Sequence, residues 1–399
     1  MEQTVFQALS GPLSTPCYVF DLDCFHRRFR EVKQAFGEHT RLCFSIKANP
    51  FLLPFLPPQM DCIEVCSPGE LTVCEALKTD MSRIIFSGVN KTREDIARAM
   101  ADGAGVFTAE SLLHMRYIEE CAAAAEKTVP VLLRLTAGSQ FGMSEADIFR
   151  ILETRERYPH TRIVGLHFFS GTQKRKSATI VKELDRITEF ADRVRDTLGF
   201  SLERLEYGTG LAVDYFTDNP EESEHRRLEE IAPKIREVSQ RMELTVEMGR
   251  FFCAPCGSYF TKVMDTKCSG GIHYAILDGG SHQLKYDGQI QGMQLPRITH
   301  LKGPLREENG EELPWTLCGS LCTTADVLAR NAVFRDLAPE DVLEFFHTGA
   351  YSVTEGISLF LSRDLPEIAV YSQTEGLRLL RRRIQTAQFQ LSDTHSGRV

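Results

Sequence analysis

Residues 42–50, Leu42-Cys43-Phe44-Ser45-Ile46-Lys47-Ala48-Asn49-Pro50, put a lysine at the end of a short apolar strand, just before a turn. A charged amine on such a strand is costly unless something pairs with it or its pKa falls. A neutral amine at a strand end is what Schiff-base chemistry needs. A lysine that snorkels to the surface from a strand end fits this stretch equally well when it is taken alone. The sequence downstream decides between the two.

Outward from Lys47, short apolar strands alternate with helical patterns. Strands are expected at 41–47, 62–66, 82–87, 104–108, 129–136, 162–169, 203–207 and 243–248, and helices at 68–78, 91–102, 109–126, 144–157, 174–198 and 223–241. Eight β units of this kind predict a (β/α)8 barrel of the TIM type. The Pro- and Leu-rich stretch 51–60 is the weak unit, and a helix over 22–36 is placed to cover the gap after the eighth strand. Beyond residue 250 the texture changes to strands with turns, at 257–265, 272–278, 314–318, 341–346 and 366–371, and Cys17-Tyr18-Val19-Phe20 reads as one more. The fold class expected is α/β, a barrel over 22–262 with a C-terminal β-rich domain, barrel- or sandwich-like. That second domain is built from 1–21 and 263–383, and the polar tail 384–399 frays.

Composition sets the outer bounds. The 399 residues are 42% hydrophobic and 25% charged, an ordinary globular balance that suits two domains. A net charge of -9 argues against nucleic acid as a partner, and no apolar run reaches membrane-spanning length. Met1-Glu2-Gln3-Thr4 opens no basic and then apolar export signal, which points to the cytoplasm. Most of the twelve cysteines sit inside apolar patterns and are expected reduced and buried. Cys253-Ala-Pro-Cys256 and Cys318-Gly-Ser-Leu-Cys322 have unequal spacings and no knuckle-like surroundings, so no metal is expected.

Barrel enzymes carry their chemistry at the C-terminal ends of the strands. Lys47 sits there on the first strand. Glu64 lies within the second, where a carboxylate needs the cavity or a polar partner such as Arg134 on the fifth. His167 ends the sixth strand, ahead of Ser170, and can stack on a flat cofactor or move protons. Gly208-Thr209-Gly210 follows the seventh, a common phosphate position in barrels. Glu247-Met248-Gly249-Arg250 ends the eighth with a carboxylate, a close-approach glycine and an arginine suited to phosphate. Pyridoxal 5'-phosphate (PLP) would use each of these: its aldehyde with Lys47, its ring face with His167, its phosphate with 208–210 and Arg250, its ring nitrogen with Glu247.

With those motifs in that order the chain resembles the fold-type III PLP-dependent decarboxylases, the group of the ornithine, arginine and diaminopimelate enzymes, over residues 14–375. The resemblance implies that Lys47 is the Schiff-base lysine, that His167 stacks on the cofactor ring and that Glu247 pairs with its nitrogen. It implies that Ser170, Gly208–Gly210, Arg250 and Tyr351 hold the phosphate. It identifies Cys322 as the catalytic cysteine that reaches the site from the partner subunit, and so implies a homodimer with shared sites. Racemases on the same barrel place an arginine at the Glu247 position, so the glutamate favours decarboxylation.

The chain also departs from the family's familiar members. They follow the cysteine with Asp or Glu to hold a distal ammonium, and here that position is Thr323, with Asp326 nearby read as structural. Where diaminopimelate enzymes carry an arginine, the run is Ser281-His282-Gln283-Leu284-Lys285-Tyr286, and their Tyr-Asn is Phe360-Leu361. A neutral threonine cannot replace an ion pair, so a basic diamino acid is not expected, and Thr323 and His282 are the candidate substrate contacts. His167–Gln173, Asp278–His282 and Gly288-Gln289-Ile290-Gln291-Gly292 resemble a subgroup that includes decarboxylases of aminoacyl groups tethered to an acyl carrier protein. Arg378, Arg381, Arg382 and Arg383 are a candidate dock for such an acidic carrier. The competing functions are a racemase on the same fold, a non-catalytic PLP-binding regulator and a metal-dependent barrel hydrolase.

Overall fold

The computed structural model describes residues 5, 7–9, 11, 13–217, 219–302 and 310–392. The chain packs as two units, one of Arg28–Val213 and Glu221–Phe251, the other of Met1–Arg27, Asp214–Pro220 and Phe252–Val399. After β1 (Cys17–Asp21), the first unit contains β2 (Arg41–Ser45), β3 (Cys62–Val65), β4 (Ile84–Phe86), β5 (Val106–Ala109), β6 (Val129–Arg134), β7 (Thr161–Phe169), β8 (Arg204–Gly208) and β9 (Glu243–Met248). These eight close in chain order into a barrel in which every pairing is parallel, β9 returning to β2 through Cys43 opposite Glu247. The helices Pro68–Ala76, Arg93–Ala101, Leu112–Ala124 and Glu145–Glu153 each start after a Ser or Thr whose hydroxyl accepts the third N–H onward. Those caps satisfy donors that would otherwise be orphaned. The weak unit after β2 holds only 3-10 turns, where Pro54 stands inside Pro50–Phe55. Residues 28–36 lie on the helix Pro220–Arg241, with Arg28 paired to buried Glu224 and Arg236 donating to the Ala35 carbonyl.

The second unit is a nine-stranded mixed sheet containing β1, β10 (Gly257–Ser269), β11 (Ile272–Leu277), β12 (Ile298–Leu301), β13 (Glu312–Cys318), β14 (Val327–Arg335), β15 (Val342–Phe346), β16 (Glu367–Ser372) and β17 (Gly376–Arg381). β10 serves both halves. Its first residues pair with β1 and β15, and beyond a register shift at Val263/Asp265 it pairs with β11. Val5, Leu13, Cys17, Val19, Phe260, Val342 and Ala369 form an apolar core beside it.

The packing division differs from boundaries at 22 and 262. Gly257–Phe260 already pair with β1, and Tyr215 packs on Tyr286 with ring centroids 5.4 Å apart, so 214–220 and 252–262 go with the sheet. The stretch 384–392 is folded rather than frayed. Ile384 bridges to Leu365, and fully buried Thr386 donates its hydroxyl to the Arg363 carbonyl at 2.9 Å. The rest of the expected tail, 393–399, lies outside the described residues.

Candidate active site at the barrel's strand ends

Strand pairing sets which side chains meet inside the barrel. Ser45 on β2 lies opposite Glu64 on β3; His167 on β7 lies between Arg134 on β6 and Glu206 on β8; Gly208 lies opposite Glu247. Lys47 follows β2 in a single 3-10 turn, and its Nζ sits 2.7 Å from Glu64 Oε2 and 3.5 Å from Glu247 Oε1. Glu247 Oε2 lies 3.5 Å from His167 Nε2, and Cys66 Sγ is 3.5 Å from Lys47 Nζ. Glu64, His167 and Glu247 present donor atoms within 4.8 Å of one another, a set that could also hold a metal ion, but here Lys47 supplies the positive charge.

Burial works to lower the Lys47 pKa, yet Glu64 and then Glu247 hold it well above the ordinary lysine value. In this state the amine is a paired ammonium rather than a neutral nucleophile. Burial, then Arg134, pushes His167 down to about 3, so its ring is neutral, and both ring nitrogens are buried without a hydrogen-bond partner. The unfolded chain takes up a proton on this histidine near 6.5, whereas the folded chain does not. The unfolded state therefore binds more protons in that window, and stability falls as pH drops from 6.5 toward 3. Thermal midpoints of the cofactor-free protein across that window should fall more steeply for wild type than for His167→Gln.

Arg134 does not pair with Glu64. Its guanidinium binds Glu110 Oε1 at 2.5 Å, because Glu110 follows the neighbouring strand β5 while Glu64 is taken by Lys47 and the Ser45 hydroxyl. Ser170 donates to Glu183 at 2.5 Å, and Lys174 and Tyr207 reach the same carboxylate. Gly210 has φ +58, and an added Cβ would stand 1.9 Å from the Gly171 carbonyl, so the loops after β7 and β8 meet only because it is glycine. Thr209 is buried, and Arg250 donates from Nε to Thr172 Oγ1 at 3.2 Å. A Cβ at Gly249 would stand 2.7 Å from Ala48 Cβ, which holds the turn carrying Lys47 against the end of β9.

The sheet unit holds the remaining candidates. Cys322 and Thr323 are exposed, and Asp326 is buried with its carboxylate spent on the Ser281 and Leu321 amides at 2.7 and 2.8 Å, a structural role. His282 is buried with neither ring nitrogen partnered, and Tyr351 takes a left-handed φ of +66 in a turn. All twelve cysteines are free. The basic cluster is partly consumed: Arg381 donates to the Pro366 carbonyl at 3.0 Å and Arg383 to the Thr15 carbonyl at 2.7 Å. Sequence reading missed Glu206, which is buried beside the site with both oxygens unpartnered; burial, then Glu247 and Glu64, raise its pKa well above the carboxylate range, so it is held neutral. Its signal was a carboxylate inside the apolar run Leu205-Glu206-Tyr207.

The donor set suits a flat anionic aldehyde. The unpartnered His167 ring offers a neutral face, Lys47 an amine, and Glu247 a carboxylate. Gly171, with φ +142, borders open space where an added Cβ would touch nothing within 4 Å. Such a barrel, with a lysine just after its first strand, suits the vitamin B6 class of enzyme. Residues 22–254 match the model of the pyridoxal-dependent decarboxylase family, pyridoxal binding domain, and the chain belongs to that family. It is a PLP-dependent decarboxylase, and pyridoxal 5'-phosphate is its cofactor. The L-glutamyl-[BtrI acyl-carrier protein] decarboxylase of Niallia circulans is 27% identical, over 96% of this chain and 94% of the relative. The 2-[(L-alanin-3-ylcarbamoyl)methyl]-2-hydroxybutanedioate decarboxylase of Staphylococcus aureus is also 27% identical, over 94% and 98%. The crystal structure of diaminopimelate decarboxylase from M. jannaschii with L-lysine shares the fold, with a TM-score of 0.83 at 21% identity, over 96% of this chain and 92% of that one. No helix among the described residues is long and apolar enough to cross a membrane.

Proposed function

We propose that the chain removes the α-carboxylate of an amino acid or aminoacyl group that lacks a distal ammonium, with Lys47 as the cofactor-bearing amine. The observation that carries this reading is Lys47 Nζ held between Glu64 and Glu247 beside the unpartnered ring of His167. When bound, PLP supplies an electron sink for the pair released as a Cα bond breaks. Glu247 holds a proton on the ring nitrogen, His167 covers the ring face without adding charge, and Glu64 orients Lys47. The loops at Ser170, Gly208–Gly210 and Gly249–Arg250 take the phosphate. Thr323 after Cys322, and an Asp326 already engaged by backbone amides, leave no acid in this loop for a distal ammonium. The N. circulans relative supports a carrier-tethered aminoacyl group as substrate. Twelve free thiols suit a reducing, cytoplasmic setting.

Mass spectrometry after incubation with amino acids and carrier thioesters in D2O tests the reaction. A product lighter by CO2 with one deuterium at Cα is expected, and deuterium gained without mass loss would mean a racemase. A homodimer with Cys322 donated across subunits belongs to the same reading. Mixing Lys47→Ala with Cys322→Ala protomers is then expected to restore activity that neither parent has, and a mixture that stays inactive would refute the shared site.

A further inference from the structure

A second cleft, of about 550 Å³, opens on the barrel unit where the chain leaves β4 and β5 for the helices Arg93–Ala101 and Leu112–Ala124. It lies at the C-terminal ends of the strands, the face on which barrels do their chemistry. Two of its lining side chains are buried and poorly satisfied. Lys91 is 5% exposed, hydrogen-bonds only the Gly88 carbonyl and has no ion pair among the described residues. His114 is 7% exposed and its Nδ1 has no partner. Burial draws Lys91 down only to about 8, so it is cationic at neutral pH, and His114 is neutral. Of the other lining charges, Glu110 is bound by Arg134 at 2.5 Å, Arg93 is paired with Glu120 at 2.7 Å while it lies over Tyr117, and Glu94 is exposed with no ion pair among the described residues. Both helices begin in the cleft, at Thr92 and Ser111, and direct the positive ends of their dipoles into it.

The geometry points to a subsite for an oxyanion, phosphate or carboxylate, carried on the far arm of an extended substrate and bound by Lys91, His114 and the two helix starts. An anion satisfies the Lys91 ammonium, whose nearest acid, Glu110, is already bound by Arg134, and the His114 ring nitrogen that the protein leaves without a partner. The cleft neighbours the reaction centre. Glu110 acts first on the Lys91 charge, followed by Cys66, which lies 3.5 Å from Lys47 Nζ, and last by Glu64. The subsite then takes the arm of a substrate whose amino-acid head lies at Lys47. The assignment rests on the decarboxylase reading and adds the class of substrate: one whose distal end is anionic, either the phosphate of a carrier's pantetheine arm or the carboxylates of a free polyacid.

Calorimetric titration of the PLP-loaded enzyme with 4'-phosphopantetheine and, separately, with citrate tests it. Binding of at least one probe is expected, weakened about tenfold or more in Lys91→Met and in Asn90→Glu, which adds a negative charge from an exposed position. Should Lys91→Met fail to fold, Asn90→Glu carries the test. Phosphopantetheine binding alone assigns the arm to a carrier, citrate binding alone to a free polyacid, and binding of both to an oxyanion of either source. Binding of neither probe, or equal binding by wild type and Asn90→Glu, overturns the subsite. If neither probe binds while decarboxylation proceeds, the subsite alone fails; if a probe binds in the Lys91-dependent way while no decarboxylation occurs, the decarboxylase reading alone fails.

Discussion

Lys47→Ala is expected to lower kcat on the order of 10³-fold or more, the scale of losing a covalent catalyst. The same change leaves Glu64 and Glu247, both buried, without their shared cation, and Glu206 lies among their charges. Like charges in a buried layer cannot all remain ionised, so the alanine variant takes up a proton on folding, and this confounds chemistry with stability. Lys47→Arg separates the two. Arginine keeps a cation between the glutamates but offers no usable nucleophile. Its thermal midpoint is expected near wild type while its turnover stays as low as alanine's. Substantial turnover in either variant, measured by CO2 release, would remove Lys47 from the reaction.

Glu247→Gln is expected to lower kcat by about 10²–10³, the range found when one preorganised electrostatic group is removed from a site. Glutamine keeps the volume and the contacts toward Lys47 and His167 but loses the charge that, in the proposed reading, holds the proton on the ring nitrogen. Glu64→Gln should behave differently. Glu64 is the nearer partner of Lys47, at 2.7 against 3.5 Å, and also receives the Ser45 hydroxyl, so its loss is expected to weaken folding and PLP retention more and kcat less. Steady-state kinetics with PLP titration of both variants checks the contrast. A Glu247→Gln enzyme with wild-type kcat would place the ring nitrogen's partner elsewhere.

Much of the barrel was legible because its strands are buried on both faces and read as apolar runs of five or six residues between helical patterns. Lys47, Glu64, His167 and Glu247 could be placed together because a barrel brings all its strand ends to one rim. What escaped was partnership across strands. Arg134 belongs with Glu110 and not Glu64, and Glu206 is a carboxyl that only closure of the barrel buries. In the sheet unit, β12, β14 and β17 were missed for a different reason. All four residues of β12 are half-buried, β14 carries Asn331 at φ +56 and exposed Arg330, and β17 breaks its Leu-Arg alternation at Leu379-Leu380, so none shows a clean two-residue period. The folded stretch 384–392 looked like tail because its anchors are one bridge at Ile384 and one buried hydroxyl at Thr386.

The sheet unit places β1 between β10 and β16, with Cys17 paired to Phe260 on one side and Glu367 on the other. On the ribosome, β1 is made well before either of the strands it pairs with. It waits for the 350 residues that separate Cys17 from Glu367 (367 − 17), roughly 20–70 s at ordinary elongation rates. The barrel residues through Phe251 emerge during that wait and can close among themselves. Until β10 is made Cys17-Tyr18-Val19-Phe20 is an apolar strand with both edges open, and until β16 is made one edge remains so, which gives a chaperone a segment to cover.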